Sequence, residues 1–265
     1  MRPARPARTP AGSAPWCRAD SRKPDKVTTS QAARDTLATL RALIFDFDGV
    51  IADTEPLHFA GFRQVLNEQG IALTESDYYA HYLGYDDKGC FAAALSAHDR
   101  PASCTLIDAL VSRKATVYLE SIRRHLVIFP GVREFVRDAA GRYPLAIASG
   151  ALRHEIELIL ECAGIRKEFQ HITSAEDVTN GKPDPQGFLH ALAALNRRQH
   201  GDSIVPADCL VIEDSIPGIR GARAAGMKVL AVANTHTVQD LHEADTITHS
   251  LAQISLHELR DRLWR

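Results

Sequence analysis

Two carboxylates set two residues apart, Asp46 and Asp48, close an apolar run that starts at Leu43, and they lead into Gly49. The run 43–47 reads as a buried strand of a parallel sheet, apolar on both faces. Buried unpaired carboxylates are strongly penalised, so packing alone does not account for two of them there. They fit a place where a divalent cation is shared and one oxygen is aimed at a substrate. Gly49 lets the chain turn tightly beside them. Three further groups follow: Ser149-Gly150, Lys182 within Gly181-Lys182-Pro183-Asp184-Pro185, and Glu213-Asp214. Together they are several carboxylates, one ammonium and one hydroxyl. That inventory suits Mg²⁺-assisted phosphoryl transfer, with oxygen ligands for a hard cation, a cation against phosphate charge and a carboxylate nucleophile.

The elements that must position these residues alternate. Strands are expected at 42–47, 145–148, 171–172, 209–212 and 228–232, with an edge strand at 246–248. Helices are expected between them at 132–140, 151–162, 185–195 and 216–225, after a lead-in helix at 30–40 and before a closing helix at 251–263. Gly164 and Gly226 stand where helices would stop. The fold class is therefore α/β, a Rossmann-like parallel sheet with helices on both faces. Residues 57–127 break the alternation with helical patterns alone, at 57–69, 75–82, 88–97 and 103–124. Thr74 with Asp77 three residues on marks one helix start. The expected organisation is a core of 39–56 and 128–265 and an inserted all-helical cap, 57–127, lying over the strand ends where open α/β sheets bind ligands.

Composition sets limits. The 265 residues are 45% hydrophobic, as in ordinary globular proteins, and no stretch is long and apolar enough to cross a bilayer. Residues 1–26 hold seven Lys/Arg against two Asp and five of the thirteen prolines, so this segment carries +5 and the remainder −7. Residues 1–38 are expected to be a disordered basic extension, read as a dispensable tail, the product of an upstream start codon or a transit peptide. An acidic body argues against nucleic acid as partner. Five scattered cysteines without a CxxC pair favour reduced thiols and a cytoplasmic protein. A monomer is expected.

Four segments, DFDGVIADTE, IASG, GKPDP and VIEDS, occur in this order at the expected strand ends. With them the chain resembles the haloacid dehalogenase superfamily of phosphohydrolases, in the branch with a helical cap after the first motif, over about residues 40–235. The resemblance implies roles. Asp46 is the nucleophile that forms an aspartyl-phosphate, and Asp48 is the acid that protonates the leaving oxygen and then activates water. Ser149 bonds phosphate, and Lys182 holds nucleophile and phosphate together. Asp46, Asp48 (through its backbone carbonyl), Asp214 and Glu213 form the Mg²⁺ site, with Glu213 either a ligand or a support behind it. Gly49, Gly150, His58 and Lys88 are the expected substrate contacts, though His58 equally reads as a half-buried helix histidine. Tyr82, Gly84, Tyr85 and Asp87 share the cap loop with Lys88, the tyrosines as packing. Arg153 could face phosphate or water, and Asp53 could bond a turn amide at the hinge.

The expected activity is a Mg²⁺-dependent phosphatase of a small phosphorylated metabolite, a sugar phosphate or phosphoglycolate. One alternative is a phosphomutase resembling β-phosphoglucomutase. Such mutases follow the second-motif serine with Ser-Lys where this chain has Ala151-Leu152, and carry a cap arginine where it has Asp87. A second alternative is a non-catalytic metabolite sensor, which should lack a catalytic group, and none is missing.

Overall fold

The computed structural model describes residues 39–264 apart from Gly84, Gln199 and His200. The expected basic extension and nearly all of the expected helix 30–40 lie outside the described residues.

An apolar tetrapeptide starts the sheet. β1 (Ala42–Phe45) is buried on both faces because helices cover each side. It pairs in parallel with β4 (Leu145–Ala148) and β6 (Cys209–Glu213). The described sheet has six parallel strands, completed by β5 (His171–Thr173), β7 (Lys228–Val232) and β8 (Thr246–Thr248), in the order β5-β4-β1-β6-β7-β8. The chain builds outward from β1 on one side, then crosses to β6 on the other. The carboxyl end of β1 is thus the switch point, where crossover helices diverge and leave a crevice. Asp46 is the first residue beyond it, tied by its N–H to the Ile212 carbonyl at 2.9 Å.

Alternate residues divide the core. Leu43, Phe45, Ile147, Ile212 and Val232 pack with α5 (Val132–Ala140), α6 (Arg153–Ala163) and α9 (Leu256–Leu263). Ile44, Ala146, Val211 and Ala231 pack with α7 (Gln186–Arg198) and α8 (Ile216–Ala224). Each fully buried large aliphatic or aromatic side chain here contributes roughly 1.5–3 kcal/mol.

Four helices fill the stretch where the alternation lapses: α1 (Glu55–Glu68), α2 (Glu75–His81), α3 (Asp87–Ala97) and α4 (Cys104–His125). Side chains of Thr74, Asp86 and Ser103 cap the last three of these by accepting backbone N–H groups. Phe59, Phe62, Leu66, Tyr78, Phe91 and Leu110 give the helices an apolar core of their own. Two short antiparallel strands, β2 (Ala52–Asp53) and β3 (Val127–Ile128), bracket the insertion and are absent from the sequence expectation. Asp53 sits in β2 opposite Val127.

The strand expected at 42–47 ends at Phe45, and two of the expected helices differ as well. The closing helix splits into a 3₁₀ turn, Leu251–Gln253, and α9, because Ser255 and Glu258 form a capping box that starts a new helix. The helix expected from 151 begins at Arg153, since Ala151 donates its N–H to Ser149 and Leu152 is extended.

Candidate active site

The carboxylates and the serine singled out in the core stand at strand tips, and Lys182 reaches them from the loop between β5 and α7. Lys182 donates from Nζ to Asp46 Oδ1 and, at 2.5 Å, to Glu213 Oε1, so one ammonium links the tips of β1 and β6. Glu213 is fully buried. Its Oε2 accepts the Asp214 N–H at 2.9 Å, the Ser215 N–H at 2.8 Å and the Ser215 hydroxyl at 2.9 Å. Oxygens of Asp46, Glu213 and Asp214 lie within 4.8 Å of one another. Asp214 accepts the hydroxyl of Thr235 on its Oδ2. Gly49, at φ 75°, turns the chain against that carboxylate, and a Cβ there would collide with it. The Gly49 carbonyl accepts the Asn234 amide at 2.7 Å.

Asp48 lies beside this cluster, near enough for the charges of Lys182 and Asp214 to interact with its own. Its Oδ1 accepts the Thr54 hydroxyl at 2.6 Å, just before α1, so its carboxylate belongs to the insertion side. Ser149 is 7% exposed, with its Oγ accepting the Ala151 N–H at 2.9 Å and its hydroxyl proton free for another acceptor. Gly150 opens on empty space. A cavity of about 310 Å³ is bounded by Ser149, Gly150, Asn180, Lys182 and Phe188.

On the insertion side, His58 stacks on Tyr118 with centroids 4.3 Å apart. Its Nδ1 lies 2.8 Å from Lys114 Nζ, which also donates to Asp87 Oδ1 at 2.5 Å. An ammonium can only donate, so Nδ1 accepts and the ring proton sits on Nε2. Lys88, an expected substrate contact, instead pairs with Asp108 at 2.8 Å on the exposed side of α3 and α4. It is the second residue of α3, and one step of helix turns it away while Asp87 points inward. Arg153 turns to Asp177 and the Ile172 carbonyl. Gly84 lies outside the described residues.

The electrostatics follow from crowding. Burial raises the Asp46 carboxyl well above its usual range, against the pull of Lys182 and with the push of Glu213 and Asp214. Burial first, then Glu213, lifts Asp214 to about 7. Asp48 is raised by burial and partly lowered by Thr54. Burial pulls Lys182 down, but Asp46 and Glu213 more than reverse it, so the ammonium stays charged. Burial, then Lys114, lowers His58 to about 3, which keeps the ring neutral. One ammonium thus faces three carboxylates, an excess of negative charge that a hard divalent cation would offset. Asp46 and Asp214 have oxygens to offer it. Glu213 has an oxygen within the same group, and its two oxygens together accept four hydrogen bonds, one of them from Lys182.

Sequence reasoning passed over Thr235, Asn234, Ser215, Thr54 and Lys114. The first two follow the tip of β7, and the strand-end rule that found Ser149 would have reached them. Lys114 holds a place on the apolar stripe of α4 with Leu110, Val117 and Tyr118, and a lysine on such a stripe signals a buried partner.

Comparison with known proteins gives the family. The haloacid dehalogenase-like hydrolase family model matches residues 43–232. A phosphorylated carbohydrates phosphatase of Thermotoga maritima is 32% identical over 193 residues, covering 71% of this chain and 83% of the relative. The fructose-1-phosphate phosphatase YqaB of Escherichia coli is 30% identical over 197 residues, covering 72% and 95%. The crystal structure of a β-phosphoglucomutase from Clostridium difficile shares the fold, with a TM-score of 0.67 over 84% of this chain and 97% of that one at 23% identity. The chain belongs to the haloacid dehalogenase-like hydrolase family, and within it to the phosphoric monoester hydrolases.

Proposed function

We propose that the chain is a Mg²⁺-dependent phosphatase of a small phosphorylated metabolite, a sugar phosphate or a phosphoglycolate-like ester, working through an aspartyl-phosphate. The observation that carries this reading is the Lys182 ammonium bridging Asp46 and Glu213, with Asp214 beside them. Asp46, Asp214 and the backbone carbonyl of Asp48 would hold Mg²⁺, which when bound supplies positive charge to the phosphate oxygens.

Phosphate esters resist hydrolysis because an anionic centre repels nucleophiles. Lys182 lowers that repulsion while pointing an Asp46 oxygen at phosphorus. Asp46 attacks, the ester P–O bond breaks, and the leaving oxygen takes a proton from Asp48. Its raised pKa suits Asp48 to carry that proton. Asp48 then takes a proton from water, whose oxygen attacks phosphorus and frees Asp46 as inorganic phosphate leaves. The Ser149 hydroxyl donates to a phosphate oxygen. The inserted helices, residues 57–127 with Asp48 at their base, form a cap that meets the leaving group and excludes water.

The test is phosphate release from p-nitrophenyl phosphate and from sugar phosphates, with Mg²⁺ and with EDTA. Release should need the metal and should vanish in Asp46→Asn. Equal release with EDTA would remove the metal, and an active Asp46→Asn would remove the nucleophile. Chromatography of products from glucose 1-phosphate should show glucose and phosphate; glucose 6-phosphate would favour the mutase reading.

A further inference from the structure

We propose that the leaving-group side of this site is built for an uncharged polyol and turns away esters that carry a second anionic group, with Asp87 setting the preference. This rests on the phosphatase reading and narrows its substrate class.

The cations near this side are already committed. Lys114 is 2% exposed, and its ammonium is held between Asp87 and His58 and lies 4.3 Å from the centre of the Phe62 ring. Lys88 is turned outward to Asp108, and Arg153 to Asp177. Lys182 belongs to Asp46 and Glu213. Among the described residues, none of these four cations is left to grip a second phosphate or a carboxylate.

The anions are in excess. Glu155, Glu55 and Asp87 are all close enough to Tyr118 to add to the burial that raises its phenol. Glu55 accepts the Tyr78 hydroxyl at 2.5 Å and Asp87 the Lys114 ammonium at 2.5 Å, so among the described residues no further cation is paired with either. A second phosphate entering here would lose its hydration beside several carboxylates with no cation in exchange.

A hydroxylated leaving group finds matching partners instead. His58 is neutral, with Nδ1 taken by Lys114, so Nε2–H is a donor. Asp87 gives one oxygen to Lys114, and its side chain is 34% exposed, leaving the other oxygen as an acceptor. A donor and an acceptor joined through one buried ammonium suit the hydroxyl groups of a sugar or polyol.

The experiment compares kcat/KM within matched pairs: fructose 1-phosphate against fructose 1,6-bisphosphate, and glycerol 3-phosphate against 3-phosphoglycerate, with p-nitrophenyl phosphate as a common control. The wild type should favour the neutral member of each pair about tenfold or more. Asp87→Asn frees the charge of Lys114 and should shift the ratio toward the charged member by about tenfold, while Asp87→Glu should keep it. Glu155→Gln, on a separate helix, should move the ratio the same way by a few-fold, so the test survives poor folding of the Asp87 variant. Each ratio is internal to one protein, so a general loss of activity cancels. Equal use of both members by the wild type overturns the proposal. An unchanged ratio in folded Asp87→Asn removes Asp87 from it. Absent hydrolysis of the control would take down the phosphatase reading and this proposal together, whereas hydrolysis without discrimination takes down the proposal alone.

Discussion

Glu213 shows how a single residue's job is set by what its oxygens already do. With Lys182, two backbone N–H groups and the Ser215 hydroxyl as donors, it anchors the ammonium and shapes the turn to Asp214. Glu213→Gln should therefore cut phosphate turnover about a hundredfold, the scale of losing one preorganised electrostatic group, while Mg²⁺ affinity by calorimetry changes little. Asp214→Asn should do the opposite to affinity and weaken Mg²⁺ binding strongly. Equal loss of affinity in both variants would make Glu213 a ligand. His58 gives a second prediction. Its pKa is about 3 in the fold against 6.5 ordinarily, so the unfolded chain takes up the proton first as pH falls. The stability from neutral His58 is complete above the unfolded value and is lost as pH drops toward the folded one, at up to roughly 1.4 kcal/mol per pH unit. Urea unfolding at neutral pH and near pH 5 should show the wild type losing about 2 kcal/mol more than His58→Gln over that range. Equal losses would contradict a buried neutral ring. The sequence was legible at Asp46, Ser149 and Asp214 because strand tips in a parallel sheet must converge, and at Lys182 because Pro183 and Pro185 stiffen the loop that carries it to them. It was not legible at Lys88 and Asp87, where adjacent polar residues in one helical turn compete for the inward position and only the packing of α3 on α4 decides.

At the scale of elements, legibility followed length and apolar content. β1, β4, β6 and β7 are short apolar runs between turn signals and could be read directly. β2 and β3, two residues each, carry no periodicity, and their pairing is fixed only when the insertion brings both ends back to one place. α8 shows an element shaping the site through a missing side chain. Gly218, the third residue of α8, lies against Glu213 so closely that a Cβ would overlap its carboxylate. Glu213 is buried and held by four donors, so it cannot yield without moving Lys182. Gly218→Ala should therefore cost about 1–3 kcal/mol in urea unfolding, the range for overpacking a tight interior, and should lower turnover as well. Gly150→Ala, which opens on empty space, is the control for a glycine that packing does not require. Wild-type stability in Gly218→Ala would mean that α8 does not press on the carboxylate.

For the whole molecule, the consequential feature is that the inserted helices carry an apolar core separate from the two that flank the sheet. Tyr118 and Ile122 of α4 belong to the sheet's cluster, while Leu110 and Val117 of the same helix belong to the insertion's. The ends of α1 and α4, with Leu57, Tyr118 and Ile122 in the sheet's cluster, and the two-residue β2–β3 pair thus join the two bodies, an arrangement in which a few terminal residues can absorb a hinge motion. The chemistry gives that motion a purpose. Asp48 and the His58–Lys114–Asp87 chain stand on the insertion side, while Asp46, Lys182 and Asp214 stand on the sheet. In the proposed mechanism, a water-poor site would strengthen their combined action on the ester. Binding of a phosphate analogue should therefore draw the insertion toward the sheet. Small-angle scattering of residues 39–265 with Mg²⁺ should show a smaller radius of gyration with vanadate than without it. Amides of β2 and β3 should exchange more slowly in the bound state, because closure limits the opening of the hinge. The Asp46→Asn protein, if it binds vanadate weakly, should show little of either change. An unchanged radius and unchanged exchange under saturating vanadate would mean that the insertion is a fixed wall, and selection among leaving groups would then rest on the standing geometry of Asp87 and His58 alone.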